Sequence, residues 1–284
     1  MFLRKKVVVG LGIVSLVSVV TFPIISKAIE RPKFVQAPSI DIRENLANNI
    51  SRNLRENEKY NRLEDFEYTY KTYGAIPMEY MNMVKYIDSD WEQPYLYGLE
   101  YAENLEALVG EYLEEVTDLS PIKNLTTLKR LMVDYGDNTN LKDLKNLDSL
   151  EELIISSQGH SEKQNNSGND YDMLALYDIS AISELSSLEK ISINTEGLLQ
   201  TITLKRGTTS YEMYSPVIMS SQFGNNKINY GSNESSYNFT EKDGFLKWDN
   251  IDSNTKNLNL EWDVVNENKM YFGGRASIPI NWID

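Results

Sequence analysis

The sequence predicts a mixed α+β protein: an α-helical cap, a short solenoid of stacked coils, and a β-sandwich fused to the end of the array. Three observations predict it. A four-residue apolar rhythm near the start marks a helix, a leucine period of about 22 residues marks the coils, and alternating segments separated by Gly, Asn and Asp turns mark the sandwich.

In chain order, residues 1–28 read as an export signal rather than as part of the fold. Arg4, Lys5 and Lys6 precede an uncharged run over 7–25, and Ser26 and Ala28 place small residues at a cleavage site. The alternative is an uncleaved anchor, since the run is long enough to span a bilayer core if fully helical. Pro23 and the Ser26/Ala28 pair favour cleavage, so the expected location is secreted, with an N-terminally anchored form at the cell surface as the alternative.

Residues 29–82 are assigned to the helical cap. Ile42, Leu46, Ile50 and Leu54 fall on one stripe of a helix with Ser39 or Asp41 as its N-cap. Between Tyr60 and Trp91 the chain is rich in Tyr and Met, and Ile76-Pro77 is expected to start a second short helix, because proline suits a first helical position.

Residues 83–197 carry the repeats. Leu128, Leu131 and Val133 recur as Leu150, Leu153 and Ile155, and again as Leu188, Ile191 and Ile193, with Leu105 and Leu108 beginning an earlier copy. The steps from Leu105 to Leu128 and from Leu128 to Leu150 are nearly equal, whereas the step from Leu150 to Leu188 is one period plus an insertion. Residues 158–172 (QGHSEKQNNSGNDYD) are polar, have no apolar rhythm, and are that insertion. The return segments also agree, as DLSPIKNLTTL at 118–128 and DISAISELSSL at 178–188. One strand and one return per coil, with two leucines three apart, is the pattern of leucine-rich repeats, in which each coil buries its leucines only by stacking on the next. Residues 198–284 read as short alternating strands with Trp248 and Trp262 in their core, which suits a small β-sandwich.

Composition narrows the function. The chain carries a formal charge of −14, and since its first 28 residues hold four cations and no acid, the remainder stands at −18. A body this acidic repels phosphate backbones and anionic lipid, so no nucleic-acid partner is expected, and membrane contact only if the first segment stays uncleaved. With no cysteine there is no thiolate chemistry, disulfide or Cys-based zinc site. The single histidine, His160, lies in the polar insertion with nothing nearby to build a triad or a metal site. Asp137 to Asn140 and Asp249 to Asp252 lack full calcium-loop spacing and read as turns. The chain is therefore expected not to be an enzyme, and to carry no metal or cofactor.

If the leucines point inward, the residues alternating with them leave the strands on the opposite, concave side. Val109, Met132, Ile154 and Ser192 form a central column, flanked by Ala107, Arg130, Glu152 and Lys190 on one side and by Glu111, Asp134, Ser156 and Asn194 on the other. Three apolar residues framed by charge suggest a contact surface. Val109, Arg130, Met132, Asp134, Glu152, Ile154, Lys190 and Ser192 are the candidate partner-binding residues.

The stretch DLSPIKNLTTLKRL at 118–131 resembles the repeat of bacterial internalins, and GLEYAENLEAL at 98–108 is similar to their first repeats after the cap. The tail over 198–284 is similar to the immunoglobulin-like domain that follows their repeats. The resemblance implies cap, solenoid and fused sandwich, and a role in contacting a protein or glycan on the surface of another cell, which several members use for adhesion or invasion. This chain departs from the family in its short array, in lacking a regular asparagine after each strand, and in its insertion. The rival expectation is a membrane-tethered structural or accessory protein of the envelope without a host receptor.

Overall fold

A computed structural model describes residues 33–35, 37, 40–90, 95–111, 116–134, 136, 141–157 and 173–284. The export segment and the 158–172 insertion with His160 lie outside the described residues.

Strand β1 (Phe34–Val35) leads into helix α1 (Ile40–Glu56), and Ile42, Leu46, Ile50 and Leu54 are all fully buried along one side of it. Helix α2 (Tyr60–Tyr73) packs beside α1 through Leu63 and Phe66. It closes at Gly74, a left-handed position (φ +61°) whose N–H bonds the Tyr70 carbonyl at 2.8 Å. Sequence spacing does not reveal α2, because only two of its residues are buried and its tyrosines blur the stripe. The short helix expected to start at Ile76-Pro77 does occur, as a 3-10 helix (Met78–Met83) that begins one residue later with Pro77 as its N-cap instead of its first residue. Ile76 and Pro77 themselves form β2 (Ile76–Pro77), antiparallel to β1, with Pro77 extended (ψ 135°).

Five parallel strands then stack in register: β3 (Tyr86–Asp90), β4 (Ala107–Glu111), β5 (Arg130–Asp134), β6 (Glu152–Ser157) and β7 (Lys190–Leu198). The array thus begins one strand earlier than the first leucine pair. The coils between strands have a three-residue rhythm of their own. Leu119, Ile122, Leu125, Leu128 and Leu131 are all buried, and Ile122, Leu125 and Leu128 each donate a backbone N–H to the carbonyl three residues back, at 2.9–3.0 Å. Leu96, Leu99, Ala102, Leu105 and Leu108 repeat the spacing one coil earlier, and Ile179, Ile182, Leu185, Leu188 and Ile191 repeat it in the last. Each step of three residues therefore delivers one apolar side chain to the interior and satisfies one backbone donor that burial would otherwise strand. Neighbouring coils are joined where each strand begins. The carbonyl of Lys85 accepts from Glu106 and Ala107, that of Glu106 from Lys129 and Arg130, and that of Lys129 from Glu151 and Glu152, all at 2.8–3.1 Å.

The remaining strands are β8 (Ile202–Lys205), β9 (Ser210–Tyr214), β10 (Asn229–Gly231), β11 (Asn238–Lys242), β12 (Phe245–Asp249), β13 (Asn257–Val265) and β14 (Tyr271–Ile283). Strands β9, β12 and β11 make a separate three-stranded sheet. Strand β14 lies parallel to β7 over Tyr271 to Ser277, and β13 and β10 continue outward from it, so the array and the tail share one sheet in the order β10-β13-β14-β7-β6-β5-β4-β3. The boundary expected between 197 and 198 falls at the end of β7, whose edge β14 covers. Gly197 sits where the chain returning from the insertion crosses: a Cβ there would stand 2.5 Å from the Ala175 nitrogen. Trp248 and Trp262 are both buried, and the Trp248 indole N–H reaches the Asn259 carbonyl at 3.2 Å, tying β12 to β13. Most of the buried apolar side chains belong to one cluster that runs from Val35 to Ile278, within the compact unit Pro32–Asp284.

Candidate functional site

Strand alternation sends Leu108, Leu131, Leu153 and Ile191 into the fully packed interior and leaves the residues between them on the opposite face of the sheet. Register then decides which of those stand abreast. Val109 pairs with Met132, Met132 with Ile154, and Ile154 with Ser192, and all four are half-buried. The row does not end there. Asp88 on β3 precedes Val109, and Tyr271 on β14 follows Ser192, with the exposed Val265 of β13 beyond it. Asp88, Tyr271 and Val265 are not among the sequence-derived candidates. A tail strand laid parallel to β7 brings Tyr271 in, and that pairing joins segments far apart in the chain.

Arg130, Glu152 and Lys190 occupy the next row. They spend their charge on one another: Arg130 Nε donates to Glu152 at 2.7 Å, and Lys190 Nζ donates to its other carboxylate oxygen. The Glu152 side chain is only 16% exposed between its two cations. The Lys190 ammonium, and after it the Arg130 guanidinium, hold its carboxyl below the usual glutamate range against the opposing effect of burial. A second ladder of the same kind runs along the rim at the strand starts, where Glu106 accepts from Lys85 at 3.0 Å and from Lys129 at 3.3 Å. Both cations lower the Glu106 carboxyl. Asp134, on the far side of the row, is half-buried and in register with Ser156.

An open groove of about 1210 Å³ lies at the start of the face. Polar residues of α1, among them Asn49, Arg52 and Asn53, form one wall, and Tyr86, Val109 and Arg130 belong to the other. A smaller cleft of about 360 Å³ lies at the other end, around Tyr271. Among the described residues, no group of three or more His, Asp or Glu is placed to hold a metal ion, and no helix is long and apolar enough to cross a membrane.

No protein-family model matches the chain, and no curated protein matches it in sequence. Several solved structures are similar. Internalin C2 from Listeria monocytogenes is 18% identical over 55% of this chain and 65% of its own, with a TM-score of 0.34. Internalin InlF from the same organism is 19% identical over 55% of this chain and 43% of its own, with a TM-score of 0.33. The CBM51-2 and INT domains of Clostridium perfringens ZmpB, a structure in complex with GlcNAc, are 14% identical over 87% of this chain and 36% of that one, with a TM-score of 0.28. The chain thus spans less than two thirds of the length of each of these structures.

Proposed function

We propose that this chain is a secreted, internalin-like recognition protein, and not an enzyme. In this reading a helical cap, a leucine-rich-repeat solenoid and an immunoglobulin-like sandwich present the outward sheet face to a protein or glycan on another cell. The observation that carries it is the row Val109, Met132 and Ile154, apolar side chains held abreast on a face that needs none for its own core. In the adjacent Arg130–Glu152–Lys190 ladder two cations share one carboxylate and leave a single net positive charge; in this reading the apolar row supplies the affinity and the charges set orientation along it. Val109, Met132, Ile154 and Ser192 act as direct contacts, and Arg130, Asp134, Glu152 and Lys190 as their rails.

The test is attachment of the labelled protein to intact host cells, measured by flow cytometry beside a Met132→Glu, Ile154→Glu double variant. Loss of attachment with an unchanged melting curve supports the reading, and full attachment of a folded variant overturns it. The uncharged run at 7–25 supports a second reading, an envelope accessory protein anchored through that segment. Intact-mass analysis separates the two, since a supernatant species beginning at Ile29 goes with secretion and a cell-bound full-length chain with the anchor.

A further inference from the structure

The cleft around Tyr271 is built from residues that the recognition reading does not use. The Tyr271 ring lines it and lies over Gly273, a buried residue that pairs with Asn194 on β7 and with Asp263 on β13. A Cβ at 273 would overlap the Tyr271 hydroxyl and its ring carbon Cζ, so the ring lies along its own strand across the glycine instead of standing off the sheet. The glycine is what allows the aromatic to lie down. Around that half-buried ring, Asn229 Nδ2 donates to Asp263 Oδ2 at 3.0 Å, and Arg275 Nε donates to Glu261 at 3.2 Å with Glu196 at 3.9 Å on its other side. Burial, and then the Asp263 carboxylate, raise the Tyr271 phenol, so its hydroxyl stays protonated and able to donate.

We propose that this cleft binds a neutral sugar residue of a glycan. Its volume of about 360 Å³ suits one small ring and lies at the lower end of ligand clefts, roughly 300–1,000 Å³. Three carboxylates against one guanidinium repel an anion. A cation gains little, because Asp263 is engaged by Asn229 while Arg275 occupies the place between Glu196 and Glu261, and would have to be displaced. A polyol needs no displacement. Its hydroxyls accept from the Asn194 amide, the Arg275 guanidinium and the Tyr271 hydroxyl, and donate to the remaining lone pairs of Asp263 and Glu261. Its apolar C–H face covers the open side of the tyrosine ring, whose other side rests on Gly273. The site goes beyond the apolar row, and stands or falls separately from it.

The experiment is saturation-transfer NMR on the protein as its producing cell makes it. The probes are glucose, galactose and N-acetylglucosamine as neutral sugars, sialic acid as an anion, and N-acetyl-lysine methylamide as a cation. Transfer to at least one neutral sugar is expected, weakened about tenfold by Tyr271→Ala, where the stacking platform is removed. It should be reduced by Asp263→Asn, which keeps the shape should the alanine variant fail to fold. The Met132→Glu, Ile154→Glu variant should retain sugar binding even though it loses cell attachment. The proposal is overturned by no transfer to any neutral sugar, by undiminished transfer in both folded cleft variants, or by a stronger response from the anion or the cation.

Discussion

Leu131 and Met132 are neighbours on β5, and alternation puts them on opposite faces, so truncating each to alanine tests the register of the whole array. Leu131 is fully buried and pairs with Leu108 on one side and Leu153 on the other, themselves fully buried. Coil stacking leaves the surroundings little freedom to collapse into the space it would vacate. Leu131→Ala should therefore fall in the upper part of the range for such truncations, about 3–5 kcal/mol. For a unit of this size, about 2–4 °C of melting temperature is lost per kcal/mol, which gives a fall of roughly 6–20 °C. Met132 is half-buried on the open face, so Met132→Ala should cost about 1 kcal/mol or less and leave the transition nearly in place. Thermal melts followed by circular dichroism, with urea midpoints as a second measure, give both numbers. Because the apolar core runs unbroken from Val35 to Ile278, the Leu131 variant should move the main transition instead of splitting off a minor one. Equal shifts for the two variants, or a larger one for Met132, would refute the inward and outward assignment on which the recognition face depends.

Two further outcomes follow from the same structure. Gly197→Ala should lower stability, read from the urea midpoint, by at least the roughly 1–3 kcal/mol typical of overpacking, because the new carbon meets backbone atoms of Leu174 and Ala175 at 2.5–2.8 Å; wild-type stability would mean that the returning chain does not cross there. Glu152 has a folded pKa below its unfolded one, so its contribution is present above the ordinary glutamate value of about 4.3 and is lost as pH falls through the lower folded value. Stability measured from pH 7 to pH 3 should decline less steeply at the acid end for Glu152→Gln than for wild type, and parallel curves would show that the Lys190 and Arg130 contacts add nothing in solution.

How much of this is readable in the sequence depends on whether a signal is local. The buried ladder Leu119, Ile122, Leu125, Leu128 and Leu131 announces itself because spacing alone requires each apolar residue to reach one interior. Strand β3 escapes a leucine search although Val84 and Ile87 keep the same three-residue step, because β-branched residues stand where leucines serve as the marker. Their spacing against Leu105 and Leu108, one coil further on, is the signal available. Helix α2 is hidden for a different reason: Leu63 and Phe66 are its only buried residues, and a stripe that narrow among tyrosines has little period to detect.

The proposed recognition face shows where local reasoning stops. Alternation within β5, β6 and β7 is enough to group Met132 with Ile154 and Ser192, since repeats of fixed period bring equivalent positions into register. The same alternation also places Arg130, Glu152 and Lys190 in one row, but reads them as charges offered to a partner. Successive coils put opposite signs side by side, and opposite signs at that distance pair with each other before they pair with anything else. Since Arg130 and Lys190 already share the Glu152 carboxylate, the proposed recognition reading puts the affinity on the apolar surface, and Met132 and Ile154 are the positions whose change tests it. Beyond Ser192 no period operates at all. Tyr271 joins the row because β14 pairs with β7 in one particular register, so the far end of the face, with its tyrosine laid over a glycine and its amides and acids around it, becomes visible only once the chain has folded back on its own array.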